Sequence, residues 1–399
     1  MNSLWIDEVE KINSNGELSE DTSADVCIIG AGISGITLAY YLTKKGYNNV
    51  VLERNEIGHG VTGHTTAKIT SQHSLIYHYL SNQYGIKFAK KYFEANEEAI
   101  NNIEEIIREN NIDCDFERKD NYIYTINEEN IEKIDEEAES LKYINIDAEK
   151  VEKSDLPFKI QKGVVFKDQA QFNPLKYLAG LTKYILNKGG RIYTNSLCTD
   201  IKRRDEEYEV YANGHKVYAK YVVLASQYPF LKIPGFYFAK MYQASSYVIG
   251  IKTKEKLPKD MYLSIDEPNF SFRKAGDILL IIYEEIFKST RFKPITNKDE
   301  MKNMLVDSTK SLVLDRIKAE NIETDDIKPG SGAVVDLEGS KVGVYKDENG
   351  KPHFIKPVCT HLGCILEWND ADKTWDCPCH GSRYDKYGKN IYGPATKNL

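Results

Sequence analysis

Four of the seven cysteines in this 399-residue chain stand close together near its C-terminal end. They form two short runs that each include a histidine, CTHLGC at 359–364 and CPCH at 377–380. A chain that groups cysteines and histidines in this way usually binds metal. The other three cysteines stand singly, and we expect them to be small buried side chains rather than reactive thiols: Cys27, Cys114 and Cys198.

The spacing of the cysteines and histidines within the two runs limits which kinds of metal centre they can form. A Rieske [2Fe–2S] cluster needs two thiolates on one iron and two imidazoles on the other, which two short Cys/His loops can supply. A zinc site could use the same residue types, but this is not an ordinary zinc-finger spacing. A c-type haem requires C-x-x-C-H, and the second run is one residue short of it. We therefore predict a Rieske cluster bound by Cys359, His361, Cys377 and His380.

A glycine-rich turn near the N-terminal end indicates a second cofactor. Residues 30–35 read G-x-G-x-x-G, directly after the buried-strand pattern ADVCIIG. In a Rossmann-type βαβ unit, Gly30 permits the tight turn, Gly32 lets the backbone approach a pyrophosphate, and Gly35 lets the helix pack on the strand. Glu53 ends the next predicted strand, where a carboxylate accepts hydrogen bonds from ribose hydroxyls. FAD and NAD both use this fingerprint.

The remaining patterns predict an α/β core and a separate C-terminal part. Helices are predicted over 34–45 and, with many charges, over 75–145. The Asn213–Gly214 pair between two alternating runs predicts a β-hairpin, and YVVLAS at 221–226 predicts a buried strand that returns to the first sheet. A charged helical linker is predicted over 291–327, and beyond it the composition changes to short strands and turns.

Composition and charge exclude several classes of partner. The net charge is −7 with acidic and basic residues interspersed, which argues against nucleic acid. No run approaches about 20 apolar residues, so no membrane span is expected. The N-terminal residues lack a basic region followed by an apolar stretch, which argues against a secretory signal and favours a cytoplasmic protein.

The glycine fingerprint belongs to a longer pattern that favours FAD. Small and hydroxyl-bearing residues follow the ribose-binding strand in GVTGHTTAKIT at 60–70. Here the chain resembles the D-amino-acid oxidase-like superfamily of FAD-dependent oxidoreductases, which includes glycine oxidase and sarcosine oxidase. It looks closest to a bacterial branch with TTAKIT and a fused C-terminal Rieske domain. QAQFNPLKYLAGL at 169–181 and VVLAS at 222–226 are similar to that branch, and the resemblance covers roughly residues 20–285 and 328–399.

The resemblance implies a fold and a set of cofactor contacts. The fold is an α/β (α+β) FAD-binding Rossmann-like domain with an inserted substrate domain at 1–290, the linker at 291–327, and a small all-β Rieske domain at 328–399. The implied cofactors are FAD and the [2Fe–2S] cluster. Beside Gly30, Gly32, Gly35 and Glu53, the resemblance implies FAD contacts at Arg54, Thr65, Thr66, Ala67, Cys198 and Ala225.

The resemblance leaves the catalytic residues unassigned. In this superfamily the substrate carbon passes a hydride directly to the flavin, and a strong base is often unnecessary. His64 and His73 are therefore interpreted as structural or flavin-neighbouring side chains. Arg273 could clamp a substrate carboxylate with two hydrogen bonds, or it could be a surface arginine.

The cluster region resembles the high-potential Rieske proteins of respiratory and photosynthetic cytochrome complexes. That resemblance implies a disulfide between Cys364 and Cys379, although a reducing cytosol could keep both as thiols. It also implies that Ser382 hydrogen-bonds to a bridging sulfide and Tyr384 to a ligand cysteine sulfur. Donors to sulfur stabilise the reduced cluster, so we expect a potential in the upper part of the Rieske range.

One part of the oxidase pattern is missing. After the strand GDILLII at 276–282 the superfamily continues with a glycine-containing loop onto the pyrimidine end of the flavin. No second glycine-rich segment occurs between residues 286 and 328. Either the chain is an internally shortened relative, or a partner subunit completes the flavin site.

Three functions are compatible with these patterns. The first is an FAD-dependent oxidoreductase that oxidises an amine or amino acid and passes electrons through the cluster to an external one-electron acceptor. The second is a non-catalytic Rieske electron-transfer protein with a degenerate or partner-completed flavin site. The third, an NAD(P)H-using reductase, lacks a second G-x-G-x-x-G for a nicotinamide.

Overall fold

The computed structural model describes residues 3–227, 230, 248–267, 269–283, 326–337 and 340–399. The chain divides into two units, each treated separately below. One comprises residues 2–225 and 246–289, and the other comprises Met1 with residues 226–245 and 290–399. Apart from its last two residues, the linker predicted at 291–327 lies outside the described residues.

The described part of the larger unit contains both helices and strands. Its α-helices are α1 (Leu4–Glu8), α2 (Ile33–Lys44), α3 (Ile76–Tyr84), α4 (Ile86–Glu109), α5 (Ile131–Tyr143) and α6 (Pro174–Asn187). Its strands are β1 (Thr22–Ile29), β2 (Asn49–Leu52), β3 (Lys68–Ile69), β4 (Glu117–Thr125), β5 (Ala148–Val151), β6 (Lys162–Gln171), β7 (Arg191–Tyr193), β8 (Cys198–Arg204), β9 (Glu207–Ala212), β10 (His215–Leu224), β11 (Val248–Lys252), β12 (Met261–Ser264), β13 (Phe270–Ala275) and β14 (Ile278–Tyr283).

The first sheet of this unit has the order β7-β2-β1-β10-β9-β8. Its centre is parallel, because β1 pairs in parallel with both β2 and β10, whereas β9 and β8 are added antiparallel. The apolar run of β1 explains its central position, since Cys27 and Ile28 are fully buried. Helix α2 covers the sheet with Ile36, Ala39 and Tyr40, which are buried in the same apolar core.

Two predictions about this sheet are confirmed, and one detail differs. Asn213 and Gly214 both have positive φ, as a two-residue hairpin turn requires. The segment at 221–224 returns to the first sheet beside β1. The second hairpin strand and this returning strand are one continuous strand, β10, which first pairs with β9 and then continues along β1.

The second sheet carries the inserted domain. Its order is β11-β14-β13-β12-β4-β6-β3, with β5 also paired to β6. Helices α3, α4 and α5 bury apolar side chains against β4 and β6. The helical prediction over 75–145 is therefore wrong for β4. The first four residues of this strand, ERKD, are all charged, so its sequence lacks the alternation of apolar and polar residues that would have indicated a strand.

The smaller unit is all-β in its described part, as predicted. It has a three-stranded antiparallel sheet of β15 (Gly332–Leu337), β16 (Ser340–Lys346) and β17 (Pro352–Ile355). A four-stranded antiparallel sheet follows, formed by β18 (Glu367–Asn369), β19 (Thr374–Asp376), β20 (Arg383–Asp385) and β21 (Asn390–Tyr392). Its core contains the fully buried rings of Trp375 and Tyr384. Across the described residues of both units, no helix combines the length and apolarity needed to cross a membrane.

Candidate cofactor sites

The glycine fingerprint lies at the turn between β1 and α2. Gly30 has φ of +110°, which favours glycine. A Cβ on Gly35 would lie 1.9 Å from the carbonyl oxygen of Gly30 and 3.3 Å from Cβ of Ala225. Glycine at position 35 is thus required for the helix to approach the turn, and Ala225 lies beside the same turn.

The first turn of α2 offers amide groups to an anion. Gly32 precedes the helix without a side-chain cap, and the amide of Ile33 donates to Oγ1 of Thr62 at 3.0 Å. A Cβ on Gly32 would approach the same Oγ1 to 3.1 Å. The space beside Gly32 fits a phosphate group, because amide groups and the helix dipole both favour negative charge there. Thr62 was not singled out in the sequence, although it lies within the segment 60–70.

Glu53 lies immediately after β2, as the fingerprint requires. Its Oε2 accepts a hydrogen bond from the amide of Ala31 at 2.8 Å, and its Oε1 accepts one from the amide of Asn55 at 2.9 Å. Each carboxylate oxygen has a further lone pair, so the group can still accept from a ribose diol. Arg54 is partly buried next to it. The donor set around this turn therefore fits a dinucleotide cofactor.

Two side chains hold the backbone of the turn at Thr65, Thr66 and Ala67. Nε1 of Trp5 donates to the carbonyl of Thr65 at 2.7 Å. Nη1 of Arg273 donates to the carbonyls of Thr66 and Ala67 at 2.7 and 2.8 Å. Ala67 has φ of +53°, a conformation that a non-glycine residue adopts only where its surroundings hold it.

The alternative that Arg273 is a surface arginine is wrong, because the side chain is buried; its use as a carboxylate clamp stays a prediction. Nη1 also donates to the carbonyl of Phe172 at 3.2 Å. Burial lowers the pKa of Arg273 to about 10. The guanidinium thus holds backbone carbonyls.

Lys68 follows this turn directly and was missed by the sequence reasoning. Its Nζ donates to the carbonyl of Tyr262 and to Oγ of Ser271, both at 2.7 Å. Burial, followed by the positive charge of Arg273, lowers the pKa of Lys68 to about 7. The sequence feature that could have indicated burial of Lys68 is its position among small and apolar residues in TTAKIT.

The remaining candidates in this unit have local roles. Nδ1 of His64 contacts the carbonyl of Gly60 at 2.8 Å. Nδ1 of His73 contacts the hydroxyl of Tyr92 at 2.8 Å, and burial lowers the pKa of His73. Cys198 starts β8 as a buried thiol whose pKa burial raises to about 12. None of these contacts indicates a catalytic base.

In the smaller unit, two tight loops present the predicted cluster ligands. The amide of Cys359 donates to the carbonyl of Cys364 at 2.8 Å, and the amide of Cys377 donates to that of Ser382 at 2.8 Å. The imidazole rings of His361 and His380 lie 5.1 Å apart. Each loop turns through a glycine with positive φ, at 363 and 381.

The chemistry of these four side chains fits a Rieske cluster. The thiol of Cys377 hydrogen-bonds to the sulfur of Cys359, which lowers the pKa of Cys359 and raises that of Cys377. Burial lowers the pKa of His380 to about 4, which favours the neutral imidazole, the form in which a histidine can bind a metal. Nδ1 is buried in both histidines.

Cys364 and Cys379 are joined by a disulfide that connects the two loops across 15 residues of sequence. Their sulfurs and a nitrogen of His380 lie within 4.8 Å of one another, a grouping that would suit a metal ion if both sulfurs were free. As disulfide sulfurs they are not thiolate ligands. The disulfide therefore links the two ligand loops and adds no metal ligand.

Tyr384 and Ser382 lie against the ligand loops. The hydroxyl of Tyr384 is 3.5 Å from Sγ of Cys359, and it accepts a hydrogen bond from the amide of Thr360 at 3.0 Å. Ser382 is fully buried, and its Oγ accepts from the amide of Ala395 at 3.1 Å. Both hydroxyl groups also lower the pKa of Cys359, because each favours negative charge on that sulfur.

A dinucleotide fold with an inserted sheet, joined in one chain to a small β domain with a Cys₂His₂ centre, defines an iron–sulfur flavoprotein. The chain belongs to the family of FAD dependent oxidoreductases, whose model matches residues 25–318, and a Rieske [2Fe-2S] domain matches residues 319–399. The predicted family, fold class and cofactors, FAD and a [2Fe–2S] cluster, are thus confirmed.

The relatives are similar to this chain over nearly its whole length or over a part of it. YhfW of Bacillus subtilis (strain 168), whose name describes a Rieske 2Fe-2S iron-sulfur protein, is 33% identical over 477 residues, covering 96% of this chain and 94% of that protein. Gamma-glutamylputrescine oxidoreductase of Escherichia coli (strain K12) is 26% identical over 269 residues, covering 66% of this chain and 62% of that protein. Glycine oxidase from Geobacillus kaustophilus has a similar fold, with a TM-score of 0.50 and 17% identity, covering 82% of this chain and 90% of that one.

Proposed function

We propose that this protein oxidises an amine or amino acid and delivers the electrons singly, by way of its Rieske cluster, to an external acceptor. The observation that carries the proposal is the presence, in one chain, of a dinucleotide cradle at 30–35 and an intact pair of Cys/His loops at 359–364 and 377–380. FAD supplies two-electron chemistry with release of single electrons. The names of the oxidoreductase and oxidase relatives support a nitrogen-bearing substrate.

Each predicted site residue has a proposed task. The amides at the start of α2, beside Gly32, bind the pyrophosphate, and Glu53 binds the ribose. The backbone of 65–67 lies along the flavin, and Ala225 lines the glycine turn that begins at Gly30. Cys198 and Arg54 contact the nucleotide end.

The proposed cluster is of the high-potential type. Cys359 and Cys377 bind one iron, and His361 and His380 bind the other. The hydroxyl of Tyr384 beside Cys359 supports this type, because a hydrogen bond to a ligand sulfur stabilises the reduced cluster. The disulfide between the loops supports it too.

We further propose that the oxidase part, residues 1–290, is internally shortened, with the linker at 291–327 and the Rieske part at 328–399. The alignment with YhfW runs over 477 positions, whereas this chain has 399 residues, so at least 78 positions have no counterpart here. This difference also favours the second candidate function, an electron carrier whose flavin site is degenerate or completed by a partner. A cytoplasmic location completes the proposal.

A spectrum and an anaerobic titration test the first function. Purified full-length protein is expected to show flavin and Rieske absorption together, and a panel of amines and amino acids is expected to bleach the flavin bands. Cluster absorption alone, or a flavin that no compound of the panel reduces, would favour the carrier instead.

A ligand variant tests the route of the electrons. Cys359→Ser is expected to keep flavin bleaching but to slow reduction of a soluble one-electron acceptor at least tenfold. Cys114→Ser is the matched control, because it replaces a buried cysteine and leaves all four ligands. Equal acceptor reduction by the wild type and the ligand variant would contradict the route.

A further inference from the structure

Lys68 occupies an unusual position within the larger unit. It is the first residue of β3, directly after the turn at 65–67, and its side chain reaches across to two strands of the second sheet. There it donates to the carbonyl of Tyr262 in β12 and to Oγ of Ser271 in β13. Its amino group thus lies where the turn at 65–67 meets the second sheet. The residue as a whole is half-buried, whereas the amino group itself is closely surrounded by protein atoms.

The surroundings of Lys68 hold no compensating negative charge among the described residues. The charged group that acts on it is Arg273 in β13, which is positive. The hydroxyl of Tyr262 is turned away to Asp155. Glu117 on β4 and Asp115 act on Arg273 instead, and Gln171, the neighbour of Lys68 on β6, is neutral. Burial and the guanidinium therefore both favour the uncharged amine at neutral pH.

We propose that Lys68 is a catalytic residue that accepts a proton from the ammonium group of the substrate before oxidation. The inference rests on the proposed function, and it goes beyond it by naming the residue that prepares the substrate. A nitrogen that carries four bonds has no lone pair to assist loss of hydride from the adjoining carbon. An amine or amino acid arrives mostly as the ammonium ion at neutral pH.

The hydrogen bonds of Lys68 match this role. A neutral amine has two N–H groups and one lone pair, and the two N–H groups bind Tyr262 and Ser271. The lone pair then points in the remaining tetrahedral direction. In the proposed step the substrate N–H bond breaks, an N–H bond forms at Nζ of Lys68, and the electron pair of the broken bond stays on the substrate nitrogen. No oxidant or reductant takes part.

A purely structural link from β3 to β12 and β13 would use Lys68 differently. Such a link needs only donors, and an arginine or a permanently charged lysine could serve. The proposed role instead requires a group that changes protonation near neutral pH, the condition under which a general base works best. The two roles differ in what happens when the donor is kept and the basicity is removed.

The test is the pH dependence of anaerobic flavin reduction, measured by stopped flow with the full-length holoprotein and the best substrate from the amine panel. In the wild type the apparent second-order rate constant is expected to rise tenfold per pH unit up to about pH 7 and then to level off. Lys68→Arg keeps a donor but cannot accept a proton, and Lys68→Met removes both. Each is expected to be on the order of 100-fold slower at pH 7, with the break moved up to the pKa of the substrate.

A second readout does not depend on activity. Competitive acylation followed by peptide mass analysis gives the pKa of individual lysines in the holoprotein. Lys68 is expected to react as an amine that is about half uncharged at pH 7, because its pKa is lowered to about 7. Lys176, whose pKa is raised by its hydrogen bond to Asp115, is the internal control and stays unreactive.

The outcomes separate this inference from the proposed function. If amines reduce the flavin but the rate profile of Lys68→Arg matches the wild type at equal flavin content, Lys68 is not the proton acceptor and the proposed function stands. A Lys68 that labels like an ordinary lysine also overturns the inference. If no amine or amino acid reduces the flavin, the proposed function fails and the role of Lys68 fails with it.

Discussion

The guanidinium of Arg273 stacks over the indole ring of Trp5, with Cζ 5.1 Å from the ring centroid. The two residues lie near opposite ends of the larger unit's sequence. Together they donate hydrogen bonds to three successive backbone carbonyls of one turn, those of Thr65, Thr66 and Ala67. We interpret Trp5 and Arg273 as positioning residues for the flavin-side backbone.

Weakening this pair is expected to reduce FAD affinity. Arg273→Lys keeps the charge but loses the planar fork, and Trp5→Phe keeps the ring but loses the N–H donor. A hydrogen bond to a charged group contributes about 1.5–3 kcal/mol, so a roughly tenfold or greater rise in the FAD Kd is expected for Arg273→Lys. Fluorescence titration of the apoprotein measures it. Arg118→Lys is the control, since Arg118 also binds a backbone carbonyl, that of Asp168, in the same sheet; an equal loss in both variants would contradict a local role.

Alanine substitutions at two glycines of the fingerprint are expected to have different effects, one on stability and the other on FAD affinity. In Gly35→Ala the new Cβ would meet the backbone oxygen of Gly30 at 1.9 Å, so the helix must move and the chain is expected to lose stability. In Gly32→Ala the Cβ meets only the side-chain Oγ1 of Thr62 at 3.1 Å, and the fold is expected to survive. If the pyrophosphate binds beside Gly32 as we propose, that Cβ takes up part of its space, so FAD affinity should fall.

Thermal unfolding and FAD titration separate the two effects. Gly35→Ala is expected to lower the Tm by several degrees, because about 1 kcal/mol corresponds to a few degrees in a domain of this size. Gly32→Ala is expected to leave the apoprotein Tm close to the wild type. Full FAD affinity in Gly32→Ala would show that the cofactor does not approach this turn.

Much of the fold could be predicted because its signals are local. The turn at Gly30–Gly35 and the hairpin at Asn213–Gly214 need positive φ or close approach, which few residues other than glycine and asparagine tolerate. The strand at Glu117–Thr125 could not be predicted in the same way. One of its charged residues, Arg118, pairs with Glu104, 14 residues earlier in the chain, and a local pattern cannot show such a pair.

The candidate sites divide along the same line. The Cys/His runs at 359–364 and 377–380 carry their ligands within a few residues, so spacing alone predicts them. Trp5 and Arg273 reach the turn at 65–67 from 60 and more than 200 residues away. An arginine in an otherwise unremarkable strand gives no sign of burial, which explains why a surface position was considered for Arg273.

Removing the hydroxyl of Tyr384 is expected to lower the potential of the cluster. That hydroxyl lies 3.5 Å from Sγ of Cys359, where it favours the more negative, reduced state. Loss of about 1 kcal/mol of such stabilisation corresponds to tens of millivolts for a one-electron couple. Spectroelectrochemical titration of Tyr384→Phe in the full chain measures the shift. Tyr387→Phe is the control, because Tyr387 is exposed and its ring packs on Tyr345 instead; an unchanged potential in Tyr384→Phe would contradict the tuning role.

Lys68 also gives a prediction for stability that requires no substrate. Its pKa is lowered to about 7 in the folded chain, whereas an unfolded lysine titrates near about 10.4. Between these values the unfolded chain binds more protons, so stability rises with pH. The penalty from Lys68 is therefore complete below about pH 7, shrinks as the pH rises, and vanishes above about pH 10.5.

Lys68→Met removes this titration, so the difference in unfolding free energy between variant and wild type should change with pH. Relative to the wild type, the variant is expected to be favoured most near pH 6 and to lose a few kcal/mol of that advantage by about pH 10. Urea unfolding of the full chain at several pH values measures the difference. Lys176→Met should show no such change between pH 6 and about pH 10, because hydrogen bonding to Asp115 raises the pKa of Lys176, and its stabilising contribution is lost only above the unfolded pKa of about 10.4. A constant difference between Lys68→Met and the wild type across this range would mean that Lys68 stays charged in the fold, and that it cannot take a proton from a substrate.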